Sequence, residues 1–304
     1  MKFICAQPTI DYYAWQVEVM INNFIENGVN PEDIQIVGAF YGNIPVKWQN
    51  LQKKYKNVQF SFYKDDRQRA RYISSIRPHV LNKHWLKYPE LENEVVFYHD
   101  CDILLSKSVD FKKLEQGVEC YVSDTVSYIG ARYIRSKGEH YLDLMADVIG
   151  LDKQIIINNE KDSGGAQYIL KGITAEFWNK VYHDSENLWR LVNSQIKKDN
   201  PSHAIQIWCA DMWAVLWNLW FFDKTVRVVD GMSFSWATSA ISEWDKHPIF
   251  HNAGVTGDGQ KLFYKGQYQT KVPYDIKLED FDSKRCSIKY VEAILKTKEV
   301  TCLK

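Results

Sequence analysis

With 304 residues, 45% of them hydrophobic and 25% charged, the chain has ordinary globular composition and enough apolar side chains for a sizeable core. Its 38 basic and 38 acidic residues cancel, so no global field draws it to nucleic acid or anionic lipid. Six widely spaced cysteines, none in a CxxC pair, argue against a disulfide framework or zinc cluster and for reduced thiols in a cytoplasmic protein.

The apolar part of Met1-Lys2-Phe3-Ile4-Cys5-Ala6-Gln7-Pro8 is too short for a secretion signal, and Phe3 to Ala6 predicts a first strand. Val17, Met20, Ile21, Phe24 and Ile25 fall on one face of a helix over 12–27, ended by Asn27-Gly28. Strand signals at 34–40 and 58–63 enclose a short helix at 45–54. A helical region over 66–86, interrupted near Pro78, leads to a strand at 94–99. Another strand follows at 118–122. Helices are then expected at 139–150, 162–171, 174–198 and 204–222, a strand at 225–229, and a loop-rich remainder.

Strands alternating with helices predict an α/β fold with a mostly parallel central sheet flanked by helices, in one continuous domain. Residues 1–125 are expected to form a nucleotide-binding half and 126–304 an acceptor-binding half. The Trp-rich segment 204–222 approaches membrane-span length, but Asp211 interrupts it and tryptophan runs throughout. A helix buried in a large core, with no transmembrane segment, is the expectation.

The most informative stretch is Val95-Val96-Phe97-Tyr98-His99-Asp100-Cys101-Asp102-Ile103-Leu104-Leu105. Residues two apart in extended backbone point to the same side, so Asp100 and Asp102 converge at the end of a buried strand. Ionised carboxylates there need a partner, and Mg2+ or Mn2+ suits such oxygen ligands. Ligands of α/β sheets bind beyond the carboxyl ends of strands, where this pair falls.

Four further groups stand out. His251, at the end of the apolar Pro248-Ile249-Phe250, offers a third ligand, and Gly254, Gly257 and Gly259 after it let backbone approach a phosphate. The Asp162-Ser163-Gly164-Gly165-Ala166-Gln167 segment reads as a capped helix start that can also present N–H groups to a ligand, with Gln167 on its first turn. Asp211, inside so apolar a helix, reads either as a catalytic or acceptor-binding carboxylate or as the structural partner of a nearby Arg or Lys. The basic run over 64–87 is mostly a solvated face, from which Arg69 is the candidate phosphate or ribose contact. Trp208, Trp236 and Trp244 are candidate sugar platforms.

Together, a Rossmann-like first half, a strand ending in Asp100-Cys101-Asp102, a mid-chain Gly-Gly-Ala-Gln and a late His-x-x-Gly resemble a GT-A fold glycosyltransferase. The late motif is similar to the metal-histidine motif of retaining enzymes of the family 8 kind, H-x-x-G-x-x-K. Here Gly257 stands in the lysine's place, and Lys261 or Lys265 is the substitute. The resemblance implies a metal-dependent, hexosyltransferase-like enzyme that moves a sugar from a nucleotide-diphosphate sugar, a UDP-sugar first, to a hydroxyl of a glycan or other acceptor, with retention. It implies Asp100, Asp102 and His251 as ligands of Mn2+ or Mg2+. Donor contacts are expected from Ala6, Gln7, Arg69, Tyr98, Asp100, Cys101, Asp102, Gly164, Gly165 and Gly254, and catalytic roles from Asp211 and Gln167. The alternatives are a sugar-phosphate nucleotidyltransferase, a glycosyltransferase acting on modified DNA, and a non-catalytic carbohydrate-binding protein. The absence of a glycine-rich basic loop near 6–9 speaks against the first, and zero net charge speaks against nucleic acid as partner.

Overall fold

A computed structural model describes residues 1–68, 70–107, 111–257 and 261–302. Among them lie ten strands: β1 (Lys2–Pro8), β2 (Ile34–Phe40), β3 (Gln59–Lys64), β4 (Val95–Tyr98), β5 (Ile103–Leu105), β6 (Cys120–Asp124), β7 (Gly164–Lys171), β8 (Val226–Val228), β9 (Phe234–Trp236) and β10 (Ile249–His251). The class is mixed α/β, as the alternation predicts. The chain divides into two compact units that interleave in sequence. A terminal unit takes Phe3–Phe62, His99–Lys113 and Asp230–Lys304, and a central unit takes Met1–Lys2, Tyr63–Tyr98 and Leu114–Val229.

In the terminal unit β1 and β2 run parallel, from Phe3 opposite Ile34 to Pro8 opposite Ala39. Both are apolar and buried almost throughout, as parallel strands covered on two faces must be. The Asp11–Glu26 helix lays Ala14, Trp15, Val17, Val19, Met20, Ile21 and Phe24 into the core. A second, three-stranded sheet has the order β5-β10-β9, with β10 antiparallel to β5 and parallel to β9. Its Leu104 and Phe250 share a core with Trp15, Phe263, Tyr290, Val291 and Ile294.

The last three of these belong to a helix at Ser287–Cys302, where a loop-rich tail was expected. Ile288, Val291 and Ile294 recur every three residues and are buried, a helical stripe that the glycine-rich stretch before it hides.

In the central unit the strand order is β4-β7-β6-β8. Here the sheet departs from the mostly parallel expectation: β7 is antiparallel to both β4 and β6, and only β6–β8 is parallel. The cause is local. Residues 162–171, expected as a helix, form β7 instead. Tyr168, Ile169 and Leu170 suit a pleated, fully covered strand, and the glycines before them mark a bulge and not a helix start. A Cβ on Gly164 would stand 2.4 Å from the Ser123 carbonyl oxygen, so the close strand approach requires glycine there. Register shifts between Val122 and Ser123, and Ala166 adopts φ 67°. Asp162 caps no helix. Its carboxylate accepts from the Val228 N–H at 3.2 Å and pairs with Arg227 at 3.0 Å.

The 66–86 helix is also shorter than expected. It spans Ile76–Lys87, so Pro78 lies in its first turn, where a missing N–H costs nothing. The Trp-rich segment folds as a 3₁₀ turn (Ile207–Cys209) and a helix (Ala210–Phe221) whose residues are nearly all buried. Twelve residues rise about 18 Å, well short of a bilayer core of about 30 Å. No described helix is long and apolar enough to cross a membrane.

Candidate metal centre

The site lies wholly in the terminal unit. His99 anchors its start: its N–H donates to the Ile4 carbonyl at 3.2 Å. Its Nδ1 lies 2.9 Å from the Asp100 carbonyl and must be the protonated nitrogen, since a carbonyl only accepts. Burial pushes the His99 imidazole down to about 4, against the pull of that hydrogen bond. Asp100 follows, the chain turns through Cys101 and Asp102, and β5 begins directly after it.

The second ligand strand arrives from about 150 residues downstream. β10 pairs with β5 so that His251 lies opposite Ile103, and the Asn252 N–H donates to the Asp102 carbonyl at 2.9 Å. This ladder brings the imidazole to the carboxylates. His251 Nε2 is 3.4 Å from Asp102 Oδ1 and 3.7 Å from Asp100 Oδ2. The ring is held by Trp236 of the adjoining β9, stacked on it at 5.9 Å and 14°. One ligand atom from each of Asp100, Asp102 and His251 lies within 4.8 Å of the other two.

Two residues complete the surroundings. Lys265 Nζ donates to Asp102 Oδ2. Burial lowers the Lys265 pKa, but Asp102, Tyr12 and Asp100 outweigh it, so the ammonium is held above its ordinary value. Burial likewise raises Asp102, and the charges of Lys265 and His251 overturn that, leaving its carboxyl well below the usual carboxylate range. Lys265 opens a short turn, Lys265–Tyr268, fastened where Trp15 Nε1 donates to the Tyr268 carbonyl at 3.2 Å. Asn252, only 3% exposed, buries both side-chain polar atoms without a hydrogen-bond partner in the structure.

These residues fit a divalent cation. Two ligands in adjacent octahedral positions at ~2.1 Å stand about 3 Å apart, close to the spacings found. Two carboxylates and one imidazole are the donor set of a hard to borderline ion, and the unpartnered Asn252 beside His251 is a buried polar group awaiting a ligand or water. With His251 neutral, as a metal ligand must be, Asp100, Asp102 and Lys265 sum to one negative charge; a divalent ion reverses that sign and favours an anionic ligand.

The other expected residues are placed as follows. Ala6 and Gln7 are buried on β1, opposite Val37 and Gly38. Cys101 points into the core, where burial raises its thiol pKa. Gly254 has φ 88°, a conformation that favours glycine. Gly259 and Arg69 lie outside the described residues. Tyr98, Gly164, Gly165, Gln167 and Asp211 belong to the central unit. Tyr98 stacks on Tyr168 at 5.8 Å, and Gln167 Oε1 accepts from the Ser123 hydroxyl at 2.7 Å. Both Asp211 oxygens are engaged, Oδ2 by Arg77 and Oδ1 by the Tyr72 hydroxyl at 2.5 Å. That is the structural-partner arrangement, one of the two readings its sequence position allows.

Sequence reasoning did not find Asn252 or the orienting role of Trp236. The pairing of β9 with β10, which sets His251 opposite Trp236, leaves no trace in spacing along the chain.

The fold is that of a solved glycosyltransferase. The chain superposes over 99% of its length on 51% of the apo structure of the bifunctional glycosyltransferase WbbM, with TM-score 0.53 and 11% identity. GlyE, a glycosyltransferase of Streptococcus pneumoniae TIGR4, matches 99% of the chain with 63% of its own length, at TM-score 0.45 and 10% identity. Mouse xyloside xylosyltransferase 1 matches 83% with 97% of its own, at TM-score 0.39 and 7% identity. The likeness to WbbM carries the fold, and the chain spans about half the length of that protein. No family model and no curated protein matches the chain.

Proposed function

We propose that the chain is a metal-dependent glycosyltransferase of the GT-A kind, moving a sugar from a nucleotide-diphosphate sugar to an acceptor hydroxyl. The observation that carries this reading is the convergence of Asp100, Asp102 and His251 on one point. The fold shared with WbbM supports it.

Asp100 and Asp102 hold the cation from one turn, and His251 closes the set with a ring fixed by Trp236. A bound Mn2+ or Mg2+ supplies Lewis-acid neutralisation of the charge that builds on the departing nucleoside diphosphate. Lys265 adds a second positive charge beside the cluster, the part a lysine plays in the H-x-x-G-x-x-K pattern. The carboxyl end of β1, at Ala6 and Gln7, is the proposed seat of base and ribose, in keeping with ligand sites at strand ends. UDP-sugars are the first donors to test, and retention the expected stereochemistry, both from the His251-x-x-Gly254 resemblance.

A thermal-shift screen of nucleotide sugars with and without Mn2+ tests the proposal. A true donor raises the melting temperature by mass action, and only with metal present. The stabilising donor is then incubated with acceptors, and NMR of the product's anomeric proton reads the stereochemistry. No metal-dependent shift with any donor counts against the enzyme reading, and an inverted product against retention alone.

A further inference from the structure

Trp208, in the central unit, is the one exposed tryptophan among the described residues, 60% accessible. A single exposed apolar side chain needs no explanation by itself. This one stands on an unusually well-tied backbone. The Tyr72 hydroxyl lies 2.6 Å from the Trp208 carbonyl and 2.5 Å from Asp211 Oδ1, and its single hydrogen serves one of them at a time. Asp211, three residues on, is ion-paired with Arg77. Its N–H lies 3.3 Å from the same Tyr72 hydroxyl, and two residues before Trp208 the Gln206 N–H donates to the Tyr133 hydroxyl at 2.9 Å. A mostly buried charged network thus fixes the backbone beneath an indole that faces water.

Two neighbours complete the surface. The Tyr128 ring lies nearly parallel to the indole, at 6.3 Å and 25°. Next to Tyr128 in the chain, Ser127 helps line a cleft of about 490 Å³ with Arg132, Tyr133, Asn158, Glu160 and Lys161. That wall offers cations, a carboxylate, an amide and hydroxyls together. A surface built for a phosphate or sulfate would be dominated by cations; this cleft, joined to the aromatic pair through Ser127 and through the Tyr133 hydroxyl that holds the Gln206 N–H, mixes donors and acceptors, which match the hydroxyls of a pyranose as the aromatic faces match its C–H face.

We propose that Trp208 and Tyr128, with the adjoining cleft, form a binding surface for a neutral pyranose glycan, with Tyr72, Arg77 and Asp211 as positioning residues beneath it. Rigid aromatics bind at low entropic cost, because little freedom is lost on contact. The surface uses none of the residues of the metal cluster and extends the proposed function without depending on it.

The test is made on the full chain without nucleotide or metal. Immobilised protein is probed with neutral tetraoses of the cello, malto, xylo and galacto series at millimolar concentration. The expected result is retention of at least one series, a loss of tenfold or more in Trp208→Ala, and a smaller loss in Trp208→Phe, which keeps an aromatic face. The melting temperature of both variants should stay near that of the parent, since the side chain is exposed. Binding that survives in Trp208→Ala overturns the proposal, as does a panel with no binding.

Discussion

Lys265 donates to one oxygen of the Asp102 carboxylate while His251 Nε2 stands 3.4 Å from the other. The same carboxylate therefore serves a cation of the chain and a cluster shaped for a cation from solution. In metal-free buffer Lys265 neutralises a carboxylate that is only 5% exposed and would otherwise be a buried, unpaired charge. Replacing it with methionine, as Lys265→Met, should lower the melting temperature in metal-free buffer and restore most of it with Mn2+. Titration calorimetry should show Mn2+ alone binding the variant about tenfold tighter, ~1.4 kcal/mol, because the competing ammonium is gone. Unchanged metal affinity would mean that Lys265 and the ion do not share Asp102.

Acid stability should fail early. Burial, aided by the Lys87 charge, lowers His84 to about 3, and burial lowers His99 to about 4. The unfolded chain takes up these protons near pH 6.5, whereas the folded chain holds them off until those lower values. Stability is thus fully present above about pH 6.5 and declines as pH falls toward 4 and then 3. Holding one proton off over one pH unit is worth ~1.4 kcal/mol, so the unfolding free energy from urea titrations at pH 7.0 and 4.5 should differ by a few kcal/mol. Equal values would show that both rings are solvated.

Gly164 is a packing glycine whatever else it does. Gly164→Ala places a methyl against the Ser123 carbonyl and the Val122 side chain. A cost of about 1–3 kcal/mol, the usual penalty of overpacking, should appear in denaturant unfolding. An alanine variant as stable as the parent would mean that β6 and β7 separate easily at the bulge.

Asp211 and Asp102 should part company under mutation. Asp211→Ala strands the Arg77 guanidinium and should cost roughly 3 kcal/mol, the lower end of the range for broken buried pairs. Asp102→Asn keeps the shape of its site but leaves the Lys265 ammonium without its carboxylate, so it too should lower stability in metal-free buffer, and of the two variants it alone should remove stabilisation by Mn2+. The reverse pattern would move the metal site to the central unit.

Much of this was legible in the chain. Asp100 and Asp102 stood out because two carboxylates one residue apart break an apolar run, although a turn before β5, and not the period-two geometry of a strand, is what holds them. His251 was legible for a related reason, as a polar residue closing an apolar run. What escaped depends on partners remote in sequence. Residues 164–171 read as a helix because nothing along the chain shows that β4 and β6 will flank them, and tertiary pairing decides strand identity. Lys265 was named as one of two substitutes for a missing motif lysine, but its contact with Asp102 comes from a turn that Trp15, some 250 residues earlier, holds in place. The C-terminal helix carried a readable apolar stripe beneath a loop-like preamble.

The central claim is that Asp100, Asp102 and His251 bind a divalent ion that in turn holds a nucleotide diphosphate. Calorimetric titration of UDP into the protein, with Mn2+ and then with EDTA, tests it most directly, alongside His251→Ala under both conditions. The account predicts UDP binding that is at least tenfold tighter with Mn2+ in the parent, and a metal effect largely lost in the variant. UDP affinity that is the same with Mn2+ and with EDTA, or a metal effect that survives in His251→Ala, would contradict it.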